Sequence, residues 1–492
     1  MASFNPKIND ADVPVIIVGA GVFGLSTSLH LGRRGFRNVA VFDKQQYDEA
    51  QYSYLKGCDA ASADFNKIIR SAYGEQTEYQ DLSTEALQAW RIWNNELENG
   101  SCVPEGMKTS DRVFINNGNL SFTNQAELPP FELASVHNLE KAGIPNTQLI
   151  TGNEEHIALA KKKNISYGID PFDCKTKGKS YIGVFDTTGG TAVADKACRV
   201  ALHRAKTYGV QFVLGLGKGE FESFSYDSAE KVNGIRTRDG KTHFAKIVVI
   251  ACGGWSPGLI PQLDGLCETT AGSVIHLRIP PDSPLFGRFA PENFPTWTYR
   301  VRDGPEGGLY GFARDEQGYM KIGYRGTKYT NPQQQADGSE RSVPITRYTE
   351  NEQLTQIPKQ AMRVMKAFVK EYLPELAAEG INVSFSRLCW YTDSFDNHFV
   401  IDRLPGQSSV LVATGGSGHA FKYLPIIGNW VVDILGGIGL ERELVQKWRW
   451  RHSKDDTEVV NKLMEGTASS RNLRRVPLTT DHDLESQLQN KM

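Results

Sequence analysis

The stretch Val15-Ile16-Ile17-Val18-Gly19-Ala20-Gly21-Val22-Phe23-Gly24 decides the fold. Four consecutive apolar residues predict a short strand buried on both faces. The Gly-x-Gly-x-x-Gly after it predicts a tight turn into a helix, Leu25–Arg34, which Gly35 ends. Val39-Ala40-Val41-Phe42 reads as the next strand, so the unit is β-α-β. Gly19 permits the turn, Gly21 lets a pyrophosphate approach the backbone, and Gly24 lets helix and strand pack closely. The turn Gly19–Gly24, with Ala20, Val22 and Phe23, offers free N–H groups and the partial positive charge of a helix start. Asp43 ends the second strand, beside Lys44 and 19 residues beyond Gly24. That is the spacing of an acid accepting hydrogen bonds from a ribose diol, and it suits FAD or NAD rather than NADP.

Outward from this unit, the composition narrows the classes. The chain has 492 residues, 40% apolar and 23% charged, typical of a globular protein. A length prior of roughly 150 residues per domain gives about three domains. Lys and Arg number 55 against 57 Asp and Glu, a net charge of −2. No basic excess exists to meet a nucleic acid or an anionic membrane, so neither partner is expected. The seven cysteines are scattered without a CxxC, against a disulfide framework or metal site and for a reducing compartment. Val13–Gly32 reads as the buried strand, turn and helix rather than as a signal or membrane span. The terminal Asn490-Lys491-Met492 is a weak likeness of a peroxisomal tripeptide, so cytoplasmic or peroxisomal residence is expected.

The periodicity places helices at Glu78–Glu98, Asp195–Tyr208, Gln360–Tyr372 and Lys422–Leu435. It places a meander at Gln211–Leu214, Val232–Arg238 and Ile247–Ala251, and further strands at Ser273–Arg278, Gly308–Phe312, Tyr319–Tyr324 and Leu411–Thr414. Residues 105–175 read as polar and turn-rich, and residues 465–492 as a mobile charged tail. Thr414-Gly415-Gly416-Ser417-Gly418-His419 repeats the strand-to-helix logic late in the chain. Such a turn suits the electron-rich N1–C2=O edge of a reduced flavin, with His419 contacting flavin or capping the helix.

Several further stretches, in order, carry a family resemblance. They are Asp64-Phe65-Asn66-Lys67-Ile68-Ile69-Arg70, Cys252-Gly253-Gly254-Trp255-Ser256-Pro257, Tyr310-Gly311-Phe312, Lys321-Ile322-Gly323-Tyr324, Cys389-Trp390-Tyr391-Thr392 and Gly416-Ser417-Gly418-His419-Ala420-Phe421-Lys422. With Val18–Gly24 they resemble the sarcosine oxidase and fructosyl-amino-acid oxidase (amadoriase) family of flavoproteins, in its fungal amadoriase-like branch. The resemblance implies an α/β fold of the D-amino-acid-oxidase kind. A discontinuous Rossmann-type FAD domain (1–104, 178–261, 385–445) would combine with a mixed-sheet substrate domain (105–177, 262–384) and a charged extension (446–492).

It also implies a monomer that oxidises the C–N bond of a secondary amino acid with O2, giving an imine and hydrogen peroxide. An N-methyl amino acid is the leading substrate, with ring closure of the imine onto a phenol as in alkaloid-type secondary metabolism. Fructosyl amino acids and saccharopine or pipecolate are the alternatives. An NAD-dependent dehydrogenase or a non-catalytic flavin-binding protein stands outside the family reading. By the same resemblance Cys389 is the covalent flavin attachment, through the 8α-methyl carbon. Lys321 activates oxygen, with Lys67 sharing the cationic role. Arg70 and Lys422 grip the substrate carboxylate, and Tyr310, Tyr391 and Asn66 contribute to the substrate site. Val213, Gly253, Trp255, Gly416, Gly418 and His419 join the turn residues, Asp43 and Lys44 in holding FAD. Sarcosine oxidases carry a histidine four residues beyond the oxygen-activating lysine. Here that position is Arg325, a second cation for an anionic substrate.

Overall fold

The computed structural model describes residues 11–350, 352–453 and 459–485; the terminal tripeptide lies outside them. The opening unit forms a six-stranded sheet whose order is Val400–Leu404, Gln407–Thr414, Ile247–Ile250, Val15–Val18, Val39–Asp43, Gln211–Leu214. Only the first pair is antiparallel. Val15–Val18 lies inside the sheet, between a strand from its own β-α-β unit and one more than 200 residues away. Its four residues are buried, as a strand covered on both faces requires.

The helix Val22–Arg33 starts directly at the turn and has no acidic residue in its first turn, so its own sequence does not offset its positive end; the Val22 N–H donates to the Ser62 hydroxyl at 3.0 Å. A Cβ on Gly24 would lie 1.8 Å from the Gly19 carbonyl oxygen, so the helix can approach the strand only with glycine there.

The second layer is an eight-stranded mixed sheet. Its order is Val383–Ser394, Cys267–Arg278, Tyr319–Tyr329, Leu309–Gly311, Thr296–Tyr299, Asn119–Thr123, Ile182–Asp186, Gln148–Ile150. Period-2 alternation turns Lys321, Gly323 and Arg325 to one face of Tyr319–Tyr329. In register beside them stand Tyr310, opposite Gly323, and Thr298, opposite Tyr310. A small three-stranded sheet, Asn66–Ile69, Gly190–Val193 and Phe114–Ile115, carries Lys67 beneath that face. Each large sheet has its own apolar core: Ile17, Leu25 and Trp90 belong to one, Ile275, Trp297 and Phe368 to the other.

Four expectations change. The meander is not one: Gln211–Leu214 and Ile247–Ile250 are parallel strands of the six-stranded sheet, and Val232–Thr237 pairs instead with Phe221–Tyr226 and Thr242–Phe244. The alternation of these strands was legible, but the partners of Gln211–Leu214 and Ile247–Ile250 lie far away in sequence, and Val232–Thr237 pairs with two local strands the pattern did not mark. The helix expected at Lys422–Leu435 breaks into a 3-10 turn, Ala420–Tyr423, and a helix, Ile427–Leu435. Pro425 stands at the break, where it lacks an N–H and restricts Leu424.

Residues 105–175 contain two helices, Pro130–Lys141 and Glu154–Lys162, too weakly amphipathic to stand out from their polar surroundings. The described part of the expected mobile tail is packed. Leu473 is buried in the core of the eight-stranded sheet, Asn472 bridges to Thr330, and Leu478 bridges to Pro358. Arg471 pairs with the buried Glu268 at 3.1 Å. That arginine serves as the partner of a buried acid, whereas Arg474 and Arg475 stay exposed.

Candidate active site

One cavity of about 410 Å³ runs between the layers along the carboxyl ends of the parallel strands. Asp43, Lys44 and Glu220 line one end, Gly19, Gly21 and Val22 the middle, and Lys321, Cys389 and Tyr391 the other end. This is the crevice where an open α/β sheet takes its ligand. The Asp43 carboxylate accepts an N–H from Ala20 (2.8 Å) and one from Gln45 (2.8 Å), one on each oxygen. Each oxygen keeps a lone pair for a hydroxyl. Burial pushes the Asp43 carboxyl up from its ordinary value. Lys44 lies over the Trp255 ring, 4.6 Å from its centroid, which shapes the same end.

An acid, a helix N-terminus and a thiol therefore follow one another along a single slot. A dinucleotide presents its parts in the same order: ribose, pyrophosphate, ring. The residues present fit FAD.

At the ring end the geometry centres on Asp64. Its Oδ2 accepts from Lys321 Nζ at 2.9 Å and also from Lys67 Nζ. Lys321 Nζ donates besides to the Asn66 carbonyl at 2.6 Å, and its ammonium lies 4.6 Å from the Phe312 ring centroid. Lys321 and Asp64 are buried, and both lysines line the cavity. Burial lowers Lys321, against the pull of Asp64, to about 8. Lys67 suffers the same burial, but Asp64 and Cys389 outweigh it and hold its pKa above the usual lysine value. Burial alone would raise Asp64; Lys321 and Lys67 together hold it far below the usual carboxylate range. Asp64 was absent from the residues expected to matter. The signal was an acid three residues before Lys67, at the head of the Asp64-Phe65-Asn66-Lys67 motif.

The second group of cations is arranged differently. Arg70 and Lys422 line the cavity together with Arg325, Tyr310 and His419. Lys422 Nζ donates to the Tyr73 hydroxyl (2.9 Å), which stands 3.0 Å from His419 Nδ1. His419 Nε2 faces the Asn397 carbonyl at 2.9 Å, so Nε2 carries the proton and Nδ1 accepts from Tyr73. Burial, then Lys422, hold this imidazole neutral. His419 occupies the N-cap position of the 3-10 turn, but its side chain makes no cap bond.

Gly253, Trp255, Phe23, Gly416 and Gly418 also line the cavity. Ala20 and Gly24 shape the turn from behind. Two expected residues stand elsewhere. Val213 is not among the lining residues; its side chain packs against the apolar cluster around Ile16 and Val18. Asn66 turns its side chain away from the Lys67 face and reaches the site only through its carbonyl. Strand alternation decides both cases. Thr298, not foreseen, lines the cavity with a buried hydroxyl that has no partner.

The family described as FAD dependent oxidoreductase (DAO) matches residues 14–434 of this chain. The chain belongs to that family. It is a flavin-dependent amine oxidase by family and takes FAD as cofactor. Among its relatives, L-saccharopine oxidase of Schizosaccharomyces pombe is 26% identical over 90% of this chain and 94% of its own. Monomeric sarcosine oxidase of Arthrobacter sp. is 26% identical over 85% and 91%. Among solved structures, fructosyl peptide oxidase from E. terrenum superposes with a TM-score of 0.76 at 26% identity, covering 95% of this chain and 98% of that one. The resemblance in the motifs thus extends to the whole fold. Among the described residues no cluster that could hold a metal ion occurs, and no helix is long and apolar enough to cross a membrane.

Proposed function

We propose that this chain oxidises the C–N bond of a secondary amino acid to the imine and returns the electrons to O2 as hydrogen peroxide. The observation that carries the reading is the pairing, at one end of the FAD slot, of Arg70 and Lys422 with a separate buried Lys321–Asp64–Lys67 unit. When bound, FAD supplies the acceptor, taking two electrons and a proton from substrate as a hydride and passing the electrons to O2.

The Arg70 guanidinium, held over the rings of Tyr73 and Phe131, takes the substrate carboxylate in two parallel bonds. Lys422 adds a third donor from the opposite strand-turn. The amine enters with its lone pair free, because neighbouring cations disfavour its protonated form. Loss of the hydride and of the N–H proton leaves the C=N bond. Two electrons and two protons reduce O2 to peroxide. Lys321 places a cation where oxygen takes its first electron, and Lys67 shares the field.

Cys389 is buried, lines the slot and is free. Its place at the ring end supports covalent attachment to the flavin 8α-methyl carbon. The likeness to saccharopine, sarcosine and fructosyl peptide oxidases supports a substrate with an N-substituted α-amino acid core. The N-methyl substituent is the smallest member of that class. Ring closure onto a phenol rests on no residue of this site and forms no part of the reading.

Purified yellow protein should release peroxide with a panel of N-substituted amino acids and not with the parent primary amino acids. Acid precipitation should leave flavin with the protein, and C389A should release it entirely. A protein that is not bleached by any secondary amine under nitrogen would refute the reaction. Flavin wholly released from the wild type would refute the tether alone.

A further inference from the structure

A carboxylate grip at Arg70 and Lys422 leaves part of the cavity unexplained, and a second subsite there presupposes that grip. The Arg325 guanidinium lies over the Tyr391 ring, 5.5 Å from its centroid. Of its five donors, one reaches the Ser417 carbonyl, at 3.3 Å. Among the described residues no acid forms an ion pair with Arg325, Arg70 or Lys422. Two acids act on them from further away, and both are already engaged. Asp393 accepts from Lys328 at 2.7 Å and from Thr270 at 2.6 Å. Asp186 accepts from the Ser71 N–H at 3.0 Å and from Thr188 Oγ1 at 2.6 Å.

Two hydroxyls share Arg325's face of the roofing sheet: Tyr391, against Arg325, and Thr298, further along beyond Tyr310. Thr298 is 6% exposed, and its Oγ1 has no partner. The Tyr391 hydroxyl is likewise buried; Arg325 stands close enough to donate to it, and its own proton has no acceptor. A buried hydroxyl left unpaired costs about 1–3 kcal/mol, so two of them in a cavity wall point to a ligand that satisfies them. One substrate carboxylate does not reach this inventory. It has about four lone-pair sites, and a bidentate Arg70 with Lys422 takes three of them.

We propose that Arg325, with Tyr391 against it, forms a second acid-binding subsite, and that the substrate is a secondary amino acid carrying a second carboxylate on one arm of the amine. Charge balance agrees. Burial first, then Arg70, pushes Lys422 well below the ordinary lysine value, whereas the surroundings of Arg325 keep its guanidinium charged despite burial. Two permanent guanidinium charges then meet two carboxylates. A monocarboxylate leaves the half-buried Arg325 with no carboxylate in contact and forgoes the charge-assisted bonds a second acid would make.

The experiment uses the flavin-loaded enzyme and thioethers, in which sulfur replaces the amine nitrogen and blocks oxidation. Calorimetry compares (methylthio)acetate with thiodiacetate and with 3-(carboxymethylthio)propionate. At least one dicarboxylate should bind roughly 10- to 100-fold tighter than the monocarboxylate, the range for a charge-assisted bidentate contact. R325Q should erase that ratio, and R325K should restore part of it. With substrates, N-methyl-L-glutamate should exceed N-methyl-L-norvaline in kcat/KM by a similar factor, through KM. Equal binding of all three ligands by the wild type, or a ratio that survives in R325Q, overturns the subsite. If R70Q instead leaves the affinity of (methylthio)acetate unchanged, the carboxylate grip itself has failed, and that outcome is separable from the first.

Discussion

Lys67 and Lys321 share the carboxylate of Asp64, whereas Arg70, Arg325 and Lys422 face the same cavity with no acid in ion-pair contact among the described residues. The first set is neutralised in part by the protein and fixed by it, whatever occupies the site. The second set depends on a ligand for its anions. The difference divides the labour. In the proposed reaction the reactant that never varies, O2, would be met by a preformed unit with its counter-ion attached. A reactant that has to be selected is met by unspent charge, where each missing carboxylate is felt as lost affinity.

The sharpest way to break this comparison is K321M. Reoxidation of the reduced enzyme by O2 should slow by roughly 10²- to 10³-fold, the range for deleting a preorganised electrostatic group, while anaerobic reduction by substrate changes far less. Stopped-flow absorbance separates the half-reactions; equal slowing of both would merge the two sets of cations into one.

R70Q should do the converse. It should cut kcat/KM for the amino acid by about 30- to 1,000-fold, since losing a buried charged partner costs roughly 2–4 kcal/mol. Reoxidation should stay near the wild-type rate.

D64N has a smaller effect with a distinct signature. Lys321, lowered by burial to about 8, is protonated below that pH and loses its cation as pH rises through it. The oxidative half-reaction should therefore decline on the alkaline side. Removing Asp64 takes away the group that opposes the burial, so the decline should move to lower pH, with roughly tenfold slower reoxidation at neutrality. An unmoved pH profile would leave Asp64 a structural residue only.

Least of all, Y391F should raise KM for a dicarboxylate by about 3- to 10-fold, the worth of one hydrogen bond to a charged group, with kcat little changed.

The dinucleotide half was legible because its signals are local. A strand, three glycines and an acid 19 residues on form one continuous unit, and the structure shows Asp43 bonded to Ala20 in it. The family motifs carried the rest of the fold, from Lys321 to the Gly416–Lys422 turn, which now line one cavity. What stayed hidden depends on partners remote in sequence. Lys321 meets Asp64 across 257 residues, and Thr298 becomes interesting only once its hydroxyl is seen to lack a partner. The tail was misjudged for the same reason. Arg471 looks solvated until Glu268 is found buried under it.

The position of Val15–Val18 has a consequence for how the chain is made. This strand leaves the ribosome early, yet one of its two neighbours is complete only at residue 250, and the sheet gains its last two strands only by residue 414. The opposite layer is completed later still, when Leu473 and Leu478 dock. Until then an apolar strand and its helix wait with one side uncovered, a species prone to aggregation. Slow, chaperone-assisted expression at low temperature should therefore improve the yield of soluble holoenzyme more than any change to the cofactor supply. Chains truncated before residue 480 should fail in the layer that was finished last rather than in the one that was begun first.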